Sequence, residues 1–198
     1  MPGGATPTAR RAKIRAVVLV GFMGAGKSSV GRALASQLKW SFVDLDQRIE
    51  RRDGRTIAEI FRESGEAEFR RMEHEALREL IDDLGSGGSA KVVALGGGAL
   101  IHESNARLIE AVKIPTIFLD APVEELWRRC TQQPAESGME RPLLGGTQAF
   151  RELYEKRRPH YLRASLRHET GGKVVEEIAA ELIQALGLNR RRGNRGQN

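Results

Sequence analysis

Hydrophobic positions along the chain switch repeatedly between two periods. Ala16-Val-Val-Leu-Val20 is an unbroken apolar run, the mark of a strand buried on both faces. Gly21–Ser28 is a glycine-rich turn, after which Val30, Leu34 and Leu38 recur at helical spacing. Ser41–Leu45 reads as a second strand. Thr56-Ile-Ala-Glu59 fits a capping box, with Thr56 as N-cap and Glu59 reaching back to it. The helix it opens is expected to stop near Gly65, and Glu66–Leu84 reads as a longer charged helix. Gly85–Ser89 is a loop. Lys91–Leu95 is a third strand that ends in Gly96-Gly97-Gly98. Asn105–Val112 is helical, Pro115–Leu119 is a fourth strand, and Pro122 stands where another helix would begin.

Residues 130–147 carry no clear period and hold Pro134, Gly138, Pro142, Gly145 and Gly146; irregular stretches of this length in compact domains are functional or mobile. Gln148–Tyr161 is helical, with Pro159 expected to end or bend it. Leu166–Thr170 is a weaker fifth strand and Val174–Leu186 a final helix. Strands alternating with helices predict an α/β fold of three layers: a five-stranded parallel sheet flanked by helices. No internal repeat and no second domain are visible.

Composition bounds the class. The 198 residues are 40% hydrophobic and 29% charged, as in globular domains. No apolar stretch approaches the ~18 residues a membrane span needs. The N-terminus lacks an apolar signal core, and the single cysteine, Cys130, excludes an internal disulfide. A reducing, cytoplasmic setting is the expectation.

The net charge of +6 suggests nucleic acid until it is located. Residues 1–15 hold Arg10, Arg11, Lys13 and Arg15, and residues 187–198 hold Arg190, Arg191, Arg192 and Arg195, with no acid in either segment. Removing those eight charges from +6 leaves −2 for residues 16–186. The basicity therefore belongs to two tails expected to be flexible, and nucleic acid is not the expected partner. An ATPase that binds RNA through those tails is the alternative from another class.

Gly21-Phe-Met-Gly-Ala-Gly26-Lys27-Ser28 matches G-x-x-x-x-G-K-[ST], lies after the first strand and opens the first helix. Glycines let backbone N–H groups turn toward phosphates, and the helix presents its positive end. Gly24, Ala25, Gly26, Lys27, Ser28 and Ser29 are the expected nucleotide-binding residues. Lys27 would reach the β- and γ-phosphates and Ser28 a magnesium ion. No Asn-Lys-x-Asp segment for reading guanine occurs, and the chain is short for a motor. A small-molecule kinase with a lid fits better.

Further strings follow in order: Asp44-Leu-Asp46, Ile57-Ala-Glu-Ile-Phe61 with Gly65-Glu66, Phe69-Arg70-Arg71-x-Glu73, Leu95-Gly-Gly-Gly-Ala99, Arg141-Pro-Leu-Leu144 and Arg157-x-Pro159-x-Tyr161. Together with the phosphate loop they span nearly all of residues 16–186, and the chain resembles the shikimate kinase family, within the nucleoside-monophosphate-kinase-like branch of P-loop folds. The resemblance implies substrate-binding helices at about 46–84 and a mobile lid at about 130–147. It implies ATP-dependent phosphorylation of the 3-hydroxyl of shikimate, for chorismate and aromatic amino-acid biosynthesis, by a monomer with one Mg²⁺. Lys27, Asp46 and Arg141 would be catalytic. Asp44, with Ser28, would serve the metal. Asp46, Arg70, Gly97, Gly98 and Arg157 would bind shikimate, and Arg129 and Arg141 would join the nucleotide site. Gluconate kinase is the rival within the branch.

Local readings leave alternatives open. Two residues apart at a strand end, Asp44 and Asp46 would share a face; the pair also reads as a helix cap. Arg70, among Glu66, Glu73 and Glu75, reads on local grounds as a solvated helix residue, and only the resemblance makes it a ligand; Glu73 at i+3 is placed to steer it. Arg128 rivals Arg129, and Lys156 and Arg158 rival Arg157. Phe61 and Phe69 are pocket walls or plain core. The stretch Cys130–Glu140 is longer than the family pattern, and His160 stands where that pattern has an apolar residue. His74, His102 and His168 form no ligand spacing.

Overall fold

The computed structural model describes residues 14–132 and 146–188. Five strands, β1 (Ala16–Val20), β2 (Ser41–Asp44), β3 (Lys91–Ala94), β4 (Thr116–Asp120) and β5 (Leu166–Glu169), form one sheet in the order β2-β3-β1-β4-β5. Every pairing is parallel. The unbroken apolar runs explain the middle of the sheet: every residue of β1, β3 and β4 is buried, as strands covered on both faces must be. The edges β2 and β5 are only partly covered.

Helices α1 (Lys27–Leu38), α2 (Leu45–Asp53), α3 (Ile57–Gly85), α4 (Glu103–Ala111), α5 (Val123–Gln132), α6 (Gly146–Tyr161) and α7 (Val175–Ala185) flank the sheet. The predicted capping box is present. Glu59 N–H donates to the Thr56 hydroxyl at 3.2 Å, and Thr56 N–H donates to the Glu59 carboxylate at 2.7 Å. The expected stop at Gly65 is a break within α3, where the backbone takes φ 82° and ψ 170° before the helix resumes.

Several expectations need correction. The second strand ends at Asp44, so Asp46 lies in the first turn of α2 and strand alternation does not relate the two carboxylates. α2 escaped the sequence reading because only Leu45 and Ile49 of its nine residues are buried, too few to show a period. Pro159 does not end α6, which runs two residues further to Tyr161. Residues 130–132 and 146–147, assigned to an irregular lid, are helical; the rest of that lid, with Arg141, lies outside the described residues. So do most of both basic tails. Arg15, placed in the first tail, is instead tied down: its carbonyl accepts from Lys91 N–H at 2.9 Å and its guanidinium donates to Gly87 O at 3.2 Å. Among the described residues no helix is long and apolar enough to cross a membrane.

Candidate active site

The central strand β1 delivers the chain into the phosphate loop, and three neighbouring loops converge there. In an open parallel sheet, ligands bind beyond the carboxyl ends of the strands, where crossovers diverge. Here β1 sits between β3 and β4; the segments after β1 and β2 and the helices α3 and α6 supply the side chains, and the turn after β3 supplies bare backbone.

The loop itself is tightly packed. Gly24 has φ 79°, and a Cβ there would meet Leu126 O at 2.6 Å and Cys130 Sγ at 2.9 Å; only glycine fits. Gly26 takes φ 84° as the N-cap of α1, and no side chain caps the helix. The first amides of α1 therefore have no capping side chain and point their positive end along the loop. Lys27 Nζ donates to Gly21 O at 3.0 Å and Phe22 O at 3.1 Å, arching over the loop. Ala25 N–H donates to Phe22 O at 3.2 Å, and Ser29 is exposed in the first turn of α1. Beneath the loop, Phe22 packs edge-on against Phe150 (4.9 Å) and Tyr154 (5.5 Å) of α6.

Ser28 Oγ donates to Asp44 Oδ2 at 2.7 Å. Asp44 also caps α2, accepting from Gln47 N–H at 3.3 Å, so the cap and the site readings hold together. Among the described residues no group of three or more His, Cys, Asp or Glu could hold a metal. One hydroxyl beside one carboxylate, next to a phosphate loop, is nevertheless the donor set magnesium uses, since it retains most of its waters. The residues fit that ion and no all-protein cage.

Asp46 is the most informative group. Its Oδ1 is shut off from solvent and has no hydrogen-bond partner, an expensive state for a carboxylate. A Cβ on Gly96 would lie 2.6 Å from that oxygen, so the bare turn is what admits Asp46. Burial, then the Asp44 charge, push its pKa up to about 6, against the pull of Lys27.

Arg70 is no solvated helix residue. Its side chain is 17% exposed, and its guanidinium lies where a Gly98 Cβ would stand 2.7 Å from Nη2. Nη1 donates to Glu73 Oε1 and Oε2 at 3.2 and 3.1 Å, and Nε donates to Glu66 at 3.2 Å. The guanidinium also sits over Phe69 (5.0 Å) and Phe61 (6.0 Å). Phe69 is buried in the core, whereas Phe61 is exposed. Glu73 is fully buried, and burial raises its pKa to about 7 although Arg70 lowers it.

Packing separates the neighbouring cations in both places. Arg157 lies over the Phe22 ring at 5.9 Å, with Nη1 3.8 Å from the position of a Gly97 Cβ. Arg158 turns away, its Nε donating to the Tyr154 hydroxyl at 3.2 Å, and Lys156 is exposed. Arg129 donates to Gly24 O at 3.4 Å, Thr170 O at 3.1 Å and Glu125 at 2.5 Å, joining the phosphate loop to the end of β5. Arg128 is 58% exposed.

Sequence reasoning missed Asn105. It is buried on α4 and donates to Glu73 and to Ala99 O. The available signal was a lone amide on the apolar stripe with Ile109. Asp120, at the end of β4, was also missed; it accepts from the Tyr154 hydroxyl at 2.8 Å and from Arg167 Nε at 2.9 Å, anchoring α6.

A phosphate loop leaving the central strand, a buried carboxylate with an unpartnered oxygen and two guanidiniums around a bare glycine turn define a P-loop phosphotransferase acting on a small anionic acceptor. The shikimate kinase family model matches residues 23–187, and the chain belongs to the shikimate kinase family. It is 40% identical over 173 residues to a shikimate kinase of Thermus thermophilus, covering 86% of this chain and 89% of that one. To a shikimate kinase of Persephonella marina it is 39% identical over 171 residues, covering 86% and 98%. A shikimate kinase from Acinetobacter baumannii, solved in complex with shikimate, superposes with a TM-score of 0.77 at 34% identity, over 91% of this chain and 97% of that one.

Proposed function

We propose that residues 16–186 transfer the γ-phosphoryl group of ATP to the 3-hydroxyl of shikimate, giving ADP and shikimate 3-phosphate for aromatic amino-acid biosynthesis. The observation that carries this reading is the pairing of an unpartnered Asp46 oxygen with two guanidiniums around one glycine turn. A hydroxyl supplies the proton that the oxygen lacks, and a carboxylate supplies the anion for the two arginines. Family membership supports the same substrate.

The chemistry asks little of covalent catalysis, because phosphoryl transfer passes through a loose, charge-rich transition state. The phosphate-loop amides and Lys27 hold the triphosphate. Lys27 can release Gly21 O and Phe22 O to do so. Arg70 and Arg157 grip the shikimate carboxylate, each charge-assisted bond contributing about 1.5–3 kcal/mol, and Gly97 and Gly98 bring backbone close to the ring. That grip sets the 3-hydroxyl beside Asp46. The hydroxyl oxygen bonds to the γ-phosphorus, the bond from that phosphorus to the bridging oxygen breaks, and the hydroxyl proton passes to Asp46. Asp46 orients the nucleophile throughout, with its raised pKa poised to take the proton. Ser28 and Asp44 would hold magnesium, which would supply charge neutralisation at the phosphates. The motif position of Arg141 assigns it to the transferring phosphoryl, and that of Arg129 to the adenine.

A coupled ADP-release assay tests the reading with three acceptors: shikimate, shikimate lacking its carboxylate, and gluconate. Strong turnover is expected with the first only. Turnover of gluconate matching that of shikimate would replace it with the rival kinase.

A further inference from the structure

Two buried side chains hold the turn after β3, and each stands next to one of the guanidiniums or to the carboxylate that holds it. Tyr161 is 1% exposed and donates from its hydroxyl to Gly97 O at 2.5 Å. Arg157 stands beside it: a Cβ on Gly97 would lie 3.8 Å from both the Tyr161 hydroxyl and Arg157 Nη1. On the other flank, Asn105 is equally buried and donates from Nδ2 to Ala99 O at 3.1 Å and to Glu73 Oε2 at 3.4 Å. Glu73 in turn takes Arg70 Nη1 on both oxygens. The Asn105 Oδ1 faces His74 Nδ1 at 2.8 Å, which fixes the amide's orientation.

Buried polar groups stabilise little by themselves, yet they specify one arrangement when fully satisfied. Here the satisfied arrangement closes two loops. One runs from turn to Tyr161 to Arg157, the other from turn to Asn105 to Glu73 to Arg70. The two meet at Gly97–Ala99, the backbone between the guanidiniums.

We propose that Asn105 and Tyr161 are positioning residues that lock the Gly97–Ala99 turn against Arg157 and Arg70, and so set the spacing of the two-guanidinium clamp for a carboxylate. The inference deepens the proposed function and rests on it. Neither side chain is required to touch the acid. Their effect is expressed through the arginines, as preorganisation of a bidentate site.

Steady-state kinetics of the full chain test this. Tyr161→Phe removes only the O–H and keeps the ring on Phe118, 5.3 Å away. The KM for shikimate is expected to rise about tenfold, the effect of one lost buried hydrogen bond, with the KM for ATP unchanged. With shikimate lacking its carboxylate, Tyr161→Phe should match the unaltered enzyme, because the clamp then has nothing to grip. Asn105→Ala should behave alike. In double mutants, adding Tyr161→Phe to Arg157→Lys, or Asn105→Ala to Arg70→Lys, should cost less than about twofold more.

Equal losses with both acceptors, or additive losses in the double mutants, would mean a merely structural role and overturn the inference. If the unaltered enzyme turns over shikimate and loses that on Arg70→Lys, while Tyr161→Phe and Asn105→Ala leave the KM unmoved, the inference alone fails. Absence of shikimate turnover in the unaltered enzyme overturns the functional reading and this inference together.

Discussion

Asp46 combines two properties that ordinary surface carboxylates lack: an oxygen without a partner and a pKa raised to about 6. Asp46→Asn keeps the shape and loses the proton acceptor. The expected result is a fall in kcat of about a hundredfold or more, with the KM for ATP nearly kept; an unaltered kcat removes Asp46 from the chemistry. In the proposed function the ionised form is the active one, so kcat/KM for shikimate should fall as pH drops below about 6. Stability runs the other way. The folded pKa lies above the ordinary 3.8, so the fold favours the protonated acid. That contribution is complete below pH 3.8 and is lost as pH rises through about 6. Asp46→Asn should therefore raise the melting temperature more at pH 8 than at pH 4, which thermal scans at both values check. The arginine opposite gives a second expectation. A methyl group at Gly98 would meet Arg70 Nη2 at 2.7 Å, so Gly98→Ala should raise the shikimate KM about tenfold through overpacking. Initial-rate kinetics should show the ATP KM unmoved.

Among the elements, α3 carries the largest share of the acid side. Its start is set by the Thr56 capping box, and its break at Gly65 separates the turn bearing Phe61 from the turns bearing Phe69, Arg70 and Glu73. Losing the cap exposes the first amides of α3. Thr56→Ala should cost about 1 kcal/mol, or about 2–4 °C in melting temperature for a protein of this size. Calorimetry reads the shift. The shikimate KM should move far less than with Gly98→Ala, because Arg70 lies beyond the break. Helix α6 does comparable work on the other side. Tyr154 fastens it to Asp120, Tyr161 fastens it to Gly97, and Arg157 is presented between them.

The sheet brings these parts to one edge. In the proposed function β1 and α1 carry the nucleotide half, and α2, α3 and the turn after β3 carry the acid half. Ligand binding should therefore stabilise the fold as a unit. ADP at about 100 times its Kd contributes about 2.7 kcal/mol, a rise of about 5–10 °C in melting temperature. Stripping divalent ions with EDTA should shrink that rise and abolish phosphoryl transfer, read directly as shikimate 3-phosphate formed, as the proposed Ser28–Asp44 metal role requires. An undiminished rise and full activity in EDTA would exclude the Ser28–Asp44 metal role.

The phosphate loop, the three buried central strands and the Thr56 cap could be read directly from the chain, because each is encoded within a few consecutive residues. So could the ordered strings that mark the family. The choice between neighbours of the same type could not. Successive helical residues point about 100° apart, so Arg128 against Arg129, and Arg157 against its flanks, depend on which face meets the sheet. The local sequence around Arg70 shows only glutamates, whereas its approach to Gly98 joins residues 28 positions apart. Asp46 needed α2, whose charged surface hides its period. Asn105 and Tyr161 acquired meaning only when folding set them against the same glycine turn. Short-range pattern specifies the elements and the phosphate cradle; the acid clamp is a product of long-range packing, which no window of the chain contains.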